Sequence, residues 1–121
     1  MTQSAPGVSA DVRLAVQVLE EHRAVDLRVL DLRAVSDLAD YFLIASGTSD
    51  THVRALAEHL LETLKPTGCK AHHVEGLAGG KWVLIDFIDF VVHVFHPSLR
   101  EFYQLERLWA DATTVSAGLH Q

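Results

Sequence analysis

Apolar positions recur along this chain with two different periods, and the switches between them divide it into elements. Val12, Ala15, Val16 and Leu19 keep helical spacing, which predicts an amphipathic helix over residues 9–22 with Ser9 as its N-cap. "VDLRVLDL", residues 25–32, alternates imperfectly through Val25, Leu27 and Val29 and reads as a first strand. The unbroken apolar run from Tyr41 to Ala45, closed by Ser46 and Gly47, predicts a strand buried on both faces. Ser49 or Asp50 then caps a second helix whose apolar face is Val53, Leu56, Ala57, Leu60, Leu61 and Leu64, and which Pro66 and Gly68 close. After it "CKAHHVE" reads as a short strand, "GLAGG" as a loop, and residues 81–86 and 90–95 as two apolar strands. Pro97 suits the first turn of a third helix, along which Leu99, Phe102, Leu105 and Trp109 are spaced. The order helix, strand, strand, helix, three strands, helix predicts an α/β fold, a mixed sheet of about five strands flanked by helices. Residues 1–9 read as a flexible arm, 10–112 as a single domain and 113–121 as a flexible tail.

With 121 residues, 49% of them hydrophobic, the chain has enough apolar surface for one ordinary core without metal or disulfide staples. Cys69 is the single cysteine, so neither a disulfide framework nor a thiolate cluster is expected, and a reducing cytoplasmic setting fits. Sixteen acidic residues against 10 basic ones give a formal charge of −6, with the basic residues scattered. Direct binding to nucleic acid needs a basic patch that neutralises phosphates, so little of it is expected, and a basic protein is the better match. No apolar run is long enough to span a membrane, and "MTQSAPGVSADVR" reads as neither a secretory signal nor a transit peptide.

Four groups of residues could carry chemistry. Asp86 and Asp89, three apart, would point to opposite sides of an extended strand, so they suit the two ends of a turn better than a shared metal ion. With Phe87 and Ile88 between them, they predict a hairpin over residues 82–95 turning at Phe87-Ile88. That tip would display Phe87, with Trp82 nearby, as a contact surface. "SGTSD" stands between a strand and a helix start, where free N–H groups attract an anion, but Thr48, Ser49 and Asp50 can cap the helix themselves. His52 and His59 lie about 10 Å apart along one helix face, too far to share an ion. His72 and His73 point to opposite sides of a strand, and a strand end separates His93 from His96, so these read as solvated or core-edge histidines. Cys69 and Ser46 lack any spacing that supplies a base for nucleophilic attack.

Three long stretches, "ADYFLIASGTSDTHVRALA" (39–57), "VEGLAGGKWVLIDF" (74–87) and "DFVVHVFHPSLREFYQLERLWADA" (89–112), closely resemble the ribosomal silencing factor family, RsfS, also called Iojap. The resemblance implies a nucleotidyltransferase-like fold without catalytic residues and a protein that needs no cofactor. It also implies binding to the large ribosomal subunit through ribosomal protein L-fourteen and a steric block to joining of the small subunit, which lowers translation under nutrient limitation or in stationary phase. Family members are often homodimers. The candidate partner contacts are Trp82, Asp86, Phe87, Ile88 and Asp89 on the hairpin, with His73 and Glu75 on the short strand before it. The competing reading is a nucleotidyltransferase-like enzyme using the "GTSD" loop with Asp86 and Asp89. The family has a glycine where this chain has Ile88; a β-branched residue resists φ > 0, so a turn of a different type is expected here.

Overall fold

The computed structural model describes residues 9–99 and 113–114. Helix α1 (Ala10–Glu21) starts where the Ser9 hydroxyl accepts the Val12 N–H at 3.2 Å. It ends as Arg23 turns left-handed at φ 66° and Ala24 donates back to the Leu19 carbonyl. Strand β1 (Val25–Asp31) pairs antiparallel with β2 (Tyr41–Ser46), with a bulge between Val25 and Arg28. Helix α2 (Asp50–Leu64) is capped by Ser49, whose hydroxyl accepts the His52 N–H. A single 3₁₀ turn (Lys65–Thr67) prolongs it to Gly68, which takes the left-handed conformation at φ 91°.

Strands β3 (His73–Glu75), β4 (Trp82–Asp86) and β5 (Phe90–Phe95) follow, and β5 pairs parallel with β2 while β4 pairs antiparallel with both β3 and β5. The strand order is β3-β4-β5-β2-β1-β6, a mixed sheet as the sequence leads one to expect. The sixth strand, β6 (Thr113–Thr114), is a correction: these residues fall in the stretch read as a tail, yet they pair with Leu30 and Asp31 at the edge of the sheet. Two residues carry no periodicity, so nothing in the pattern announces them. The arm and the third helix expected after Pro97 lie outside the described residues, apart from the Ser9 cap and the first residues to Leu99.

Both helices pack on one face of the sheet. The core between the layers joins Val12, Val16 and Leu19 of α1 and Leu56, Leu60 and Leu64 of α2 to Leu43, Val83, Ile85, Val92 and Val94. A second buried cluster, Leu30, Leu32, Ile44 and Phe95, lies on the opposite face. Burial on both faces explains why β2 and β5 read as continuous apolar runs rather than alternating ones.

The hairpin exists, but its tip is one residue further on than the aspartates suggest. Asp86 faces Val91 and the Phe87 N–H donates to the Phe90 carbonyl at 2.9 Å, so the two loop residues are Ile88 and Asp89. Phe87 is therefore not displayed at the tip. It continues the inward series Val83, Ile85, Phe87 into the helix-side core and is only 5% exposed. Ile88 takes φ 76° with an Asp89 N–H to Phe87 carbonyl bond at 3.0 Å, which is a γ-turn of positive φ. The expectation that isoleucine would force another conformation is overturned. The Asp86 carboxylate accepts the Ile88 N–H at 2.7 Å and, together with the closing strand bonds, holds the strained residue in place.

Candidate functional site

Directly opposed residues of an antiparallel pair share a face, and the register decides which of the candidate contacts meet. On β4, Trp82, Leu84 and Asp86 point away from the helices; His73 of β3 lies beside Asp86 and Glu75 beside Leu84. On the other side of β4, Phe95 lies beside Trp82, His93 beside Leu84 and Val91 beside Asp86. His73, Glu75, Trp82 and Asp86 thus gather next to the β3 edge on one sheet face, the one opposite α1 and α2. Ile88, 60% exposed, and Asp89 extend it at the hairpin tip, whereas Phe87 lies beneath, on the other face.

Among the described residues Trp82 is the exposed aromatic of this face, at 39%. Its ring packs against Phe95 with centroids 4.9 Å apart, and its indole N–H donates to His93 Nδ1 at 3.2 Å. His93, grouped with the solvated or core-edge histidines in the sequence, is instead buried at 4% exposure, with Phe42 edge-on at 4.9 Å. Burial pushes its pKa down to about 4, so it is neutral near pH 7. The alternation of "FVVHVF" held the signal that His93 and Phe95 share Trp82's face, but only the register against β4 turns that signal into a contact. Toward the edge, the exposed side chains of His73 and Glu75 pair Nε2 to Oε2 at 2.6 Å, a surface contact of small energetic weight.

The loop that delivers Trp82 is set by glycine. Gly76 has φ 80°, and a Cβ there would collide with the Trp82 carbonyl oxygen. Gly80 has φ 66° and lies against the first turn of α2, where a Cβ would stand 2.7 Å from the Asp50 carbonyl. This close approach lets Lys81 Nζ reach Asp50 Oδ1 at 3.1 Å, while His96 Nε2 approaches the same oxygen at 3.2 Å. The Lys81 hydrogen bond holds the Asp50 carboxyl below its usual range.

The residues of the enzyme reading are engaged in structure. The Asp86 carboxylate caps the hairpin turn, and Asp89 is tied into the sheet end through its backbone carbonyl, which accepts the Asp40 N–H at 2.7 Å. In the "SGTSD" loop Ser49 caps α2, the Thr48 N–H donates to His52 Nδ1 at 2.8 Å, and the Asp50 carboxylate turns to Lys81 and His96. His59 stacks on His22 at 3.7 Å, and among the described residues no three His, Cys, Asp or Glu side chains converge as metal ligands. The Cys69 thiol is pushed up to about 11 by burial, with the Asp11 carboxylate adding to the shift, which suppresses the thiolate. Ser46 Oγ is buried, and no described residue hydrogen-bonds to it as a base would. No described helix is long and apolar enough to cross a membrane.

The model of a family described as ribosomal silencing factor during starvation matches residues 5–121. The ribosomal silencing factor RsfS of Bacillus subtilis is 41% identical over 101 residues, covering 84% of this chain and 86% of that protein. Crystal structures of proteins from Bacillus halodurans and Chromobacterium violaceum superpose with TM-scores of 0.78 at 37% and 36% identity. They cover 87% and 83% of this chain, and 95% and 83% of their own.

Proposed function

Because this chain belongs to the RsfS family of ribosomal silencing factors, we propose that it binds the large ribosomal subunit through ribosomal protein L-fourteen and blocks joining of the small subunit. Translation is thereby repressed under nutrient limitation or in stationary phase, in the cytoplasm. The action is steric: no bond is made or broken, no cofactor takes part, and direct contact with nucleic acid is minor.

One observation carries the reading: Trp82 stands 39% exposed on the sheet face away from α1 and α2, a face it shares with the acidic groups of Glu75 and Asp86. Large aromatics that dock into a partner supply a disproportionate share of binding energy, and an acidic surround favours encounter with a basic ribosomal protein. A formal charge of −6 acts in the same direction. His73, Ile88 and Asp89 complete the contact, and Phe87 serves it from beneath by holding the tip.

The test is co-sedimentation of the full chain with purified large subunits, with subunit joining followed by light scattering. Replacing an interface aromatic by alanine costs about 2 kcal/mol or more, so Trp82→Ala is expected to weaken docking roughly thirtyfold and to restore joining. Docking and blocking unchanged from wild type would sink the assignment of this face.

A second copy of the chain is the other partner we propose, in a twofold dimer, the commonest closed assembly. Val25, Val35 and Leu38, the last 80% exposed, leave apolar surface for it outside the docking face. Light scattering at tens of micromolar should then give twice the 13.4 kDa of one chain.

A further inference from the structure

Trp82 and His93 stand on neighbouring strands, and the bond between them has a direction that chemistry fixes. An indole N–H can only donate, so the 3.2 Å contact makes His93 Nδ1 the acceptor and leaves the imidazole proton on Nε2. That Nε2–H is buried and finds no hydrogen-bond partner among the described residues. Burying a donor without an acceptor is unfavourable, and an apolar ring of the same shape would avoid it. Packing against the described residues therefore gives no reason for a histidine at position 93. What it adds is the acceptor for the indole.

We propose that His93 is a positioning residue for docking: by accepting the Trp82 indole N–H within the protein, it lets the indole enter its partner as a purely apolar anchor. The proposal rests on the reading of this face as the docking surface. In the free protein the half-exposed indole could give its N–H to water, so the bond to His93 matters little there. In the complex water is excluded, and an indole N–H without His93 would be buried unpaired unless the partner supplied an oxygen. The pocket that receives Trp82 is thus lined by apolar side chains and offers the indole no acceptor. Phe95 at 4.9 Å and Phe42 against the imidazole hold the pair in one orientation.

His93→Phe tests this, since it keeps an aromatic ring, removes the acceptor and also removes the Nε2–H that no described residue accepts. We expect the variant to melt at or above the wild-type temperature, its Trp82 indole N–H resonance to move and exchange faster with water, and its docking on large subunits to weaken about tenfold. The resonance is assigned by its loss in Trp82→Phe, which separates it from that of Trp109. An indole resonance that stays in place shows that the bond is absent, and a moved resonance with unchanged docking shows that the bond does not serve the interface; either overturns the proposal. Trp82→Phe gives an answer that does not depend on His93→Phe folding. It should retain most of the docking that Trp82→Ala loses, and equal loss in both would mean that the partner uses the indole N–H, which also overturns the proposal. Wild type and Trp82→Ala docking alike would instead refute the docking face itself, while the indole resonance still reports whether His93 holds the tryptophan.

Discussion

Phe87 and Phe90 stack across the base of the hairpin with ring centroids 4.9 Å apart, and both rings are buried in the helix-side core. Phe87→Ala is therefore a core deletion. Such a truncation costs about 3–5 kcal/mol, a large part of the stability of a domain this size. Urea unfolding should show the midpoint collapsing, whereas a tip residue in solvent would leave it nearly unchanged.

Ile88 holds φ 76°, a conformation that costs an L-residue about 1–2 kcal/mol and glycine almost nothing. Ile88→Gly is expected to stabilise the fold by about 1 kcal/mol after the greater chain entropy of glycine is subtracted. The urea midpoint should rise with an unchanged slope. A fall would mean that the exposed isoleucine makes compensating contacts.

His93 has its pKa pushed down from 6.5 to about 4 by burial, and the sign of the resulting pH dependence follows. As pH drops through 6.5 the unfolded chain takes up a proton that the folded chain refuses until about pH 4, so stability is constant above this window and falls within it. The full loss is about 3 kcal/mol. Thermal melting between pH 7 and pH 4 should show the decline, and His93→Phe should remove this part of it. Asp31 and Asp50, whose carboxyls are held low by Arg33 and Lys81, act in a separate and more acidic range, where stability is lost as pH falls below their ordinary value of 3.8.

Gly76→Ala places a Cβ against the Trp82 carbonyl at φ 80°. The backbone strain alone is worth about 1–3 kcal/mol, and relief of the clash is expected to move the start of β4. Melting should fall by several degrees, and the Trp82 indole resonance should shift. An unmoved resonance would show that the loop yields instead of the strand.

Periodicity reached the elements because each carries enough residues to repeat: six spaced apolar positions for α2, and two solid runs for β2 and β5. It failed where a decision rested on one or two residues. The aspartates look like a symmetrical bracket around Phe87 and Ile88, yet the alternation Val83, Ile85, Phe87 already placed Phe87 inward, and the inward series decides because a solvent-facing phenylalanine would forfeit its burial. β6 was illegible, being two threonines that the described residues place in the sheet through their pairing with β1. The candidate site was half legible. His73, Glu75, Trp82 and Asp86 could be named, but their meeting on one face, and the place of His93 behind Trp82, depend on a cross-strand register that spacing along one chain does not encode.

The parallel pairing of Tyr41 with Phe90 through Ser46 with Phe95 has a consequence for the protein's own synthesis. Strand β2 is made early and is apolar on both faces, but the neighbour that occupies its inner edge is the last strand of the β3–β5 series to be made. Until Phe95 has left the ribosome's exit tunnel, the emerging chain carries "YFLIAS" with an open hydrogen-bonding edge, the kind of segment that recruits other unfinished chains. A nascent chain arrested anywhere before Phe90 is thus an aggregation hazard, and protection arrives only when the central pair zips closed.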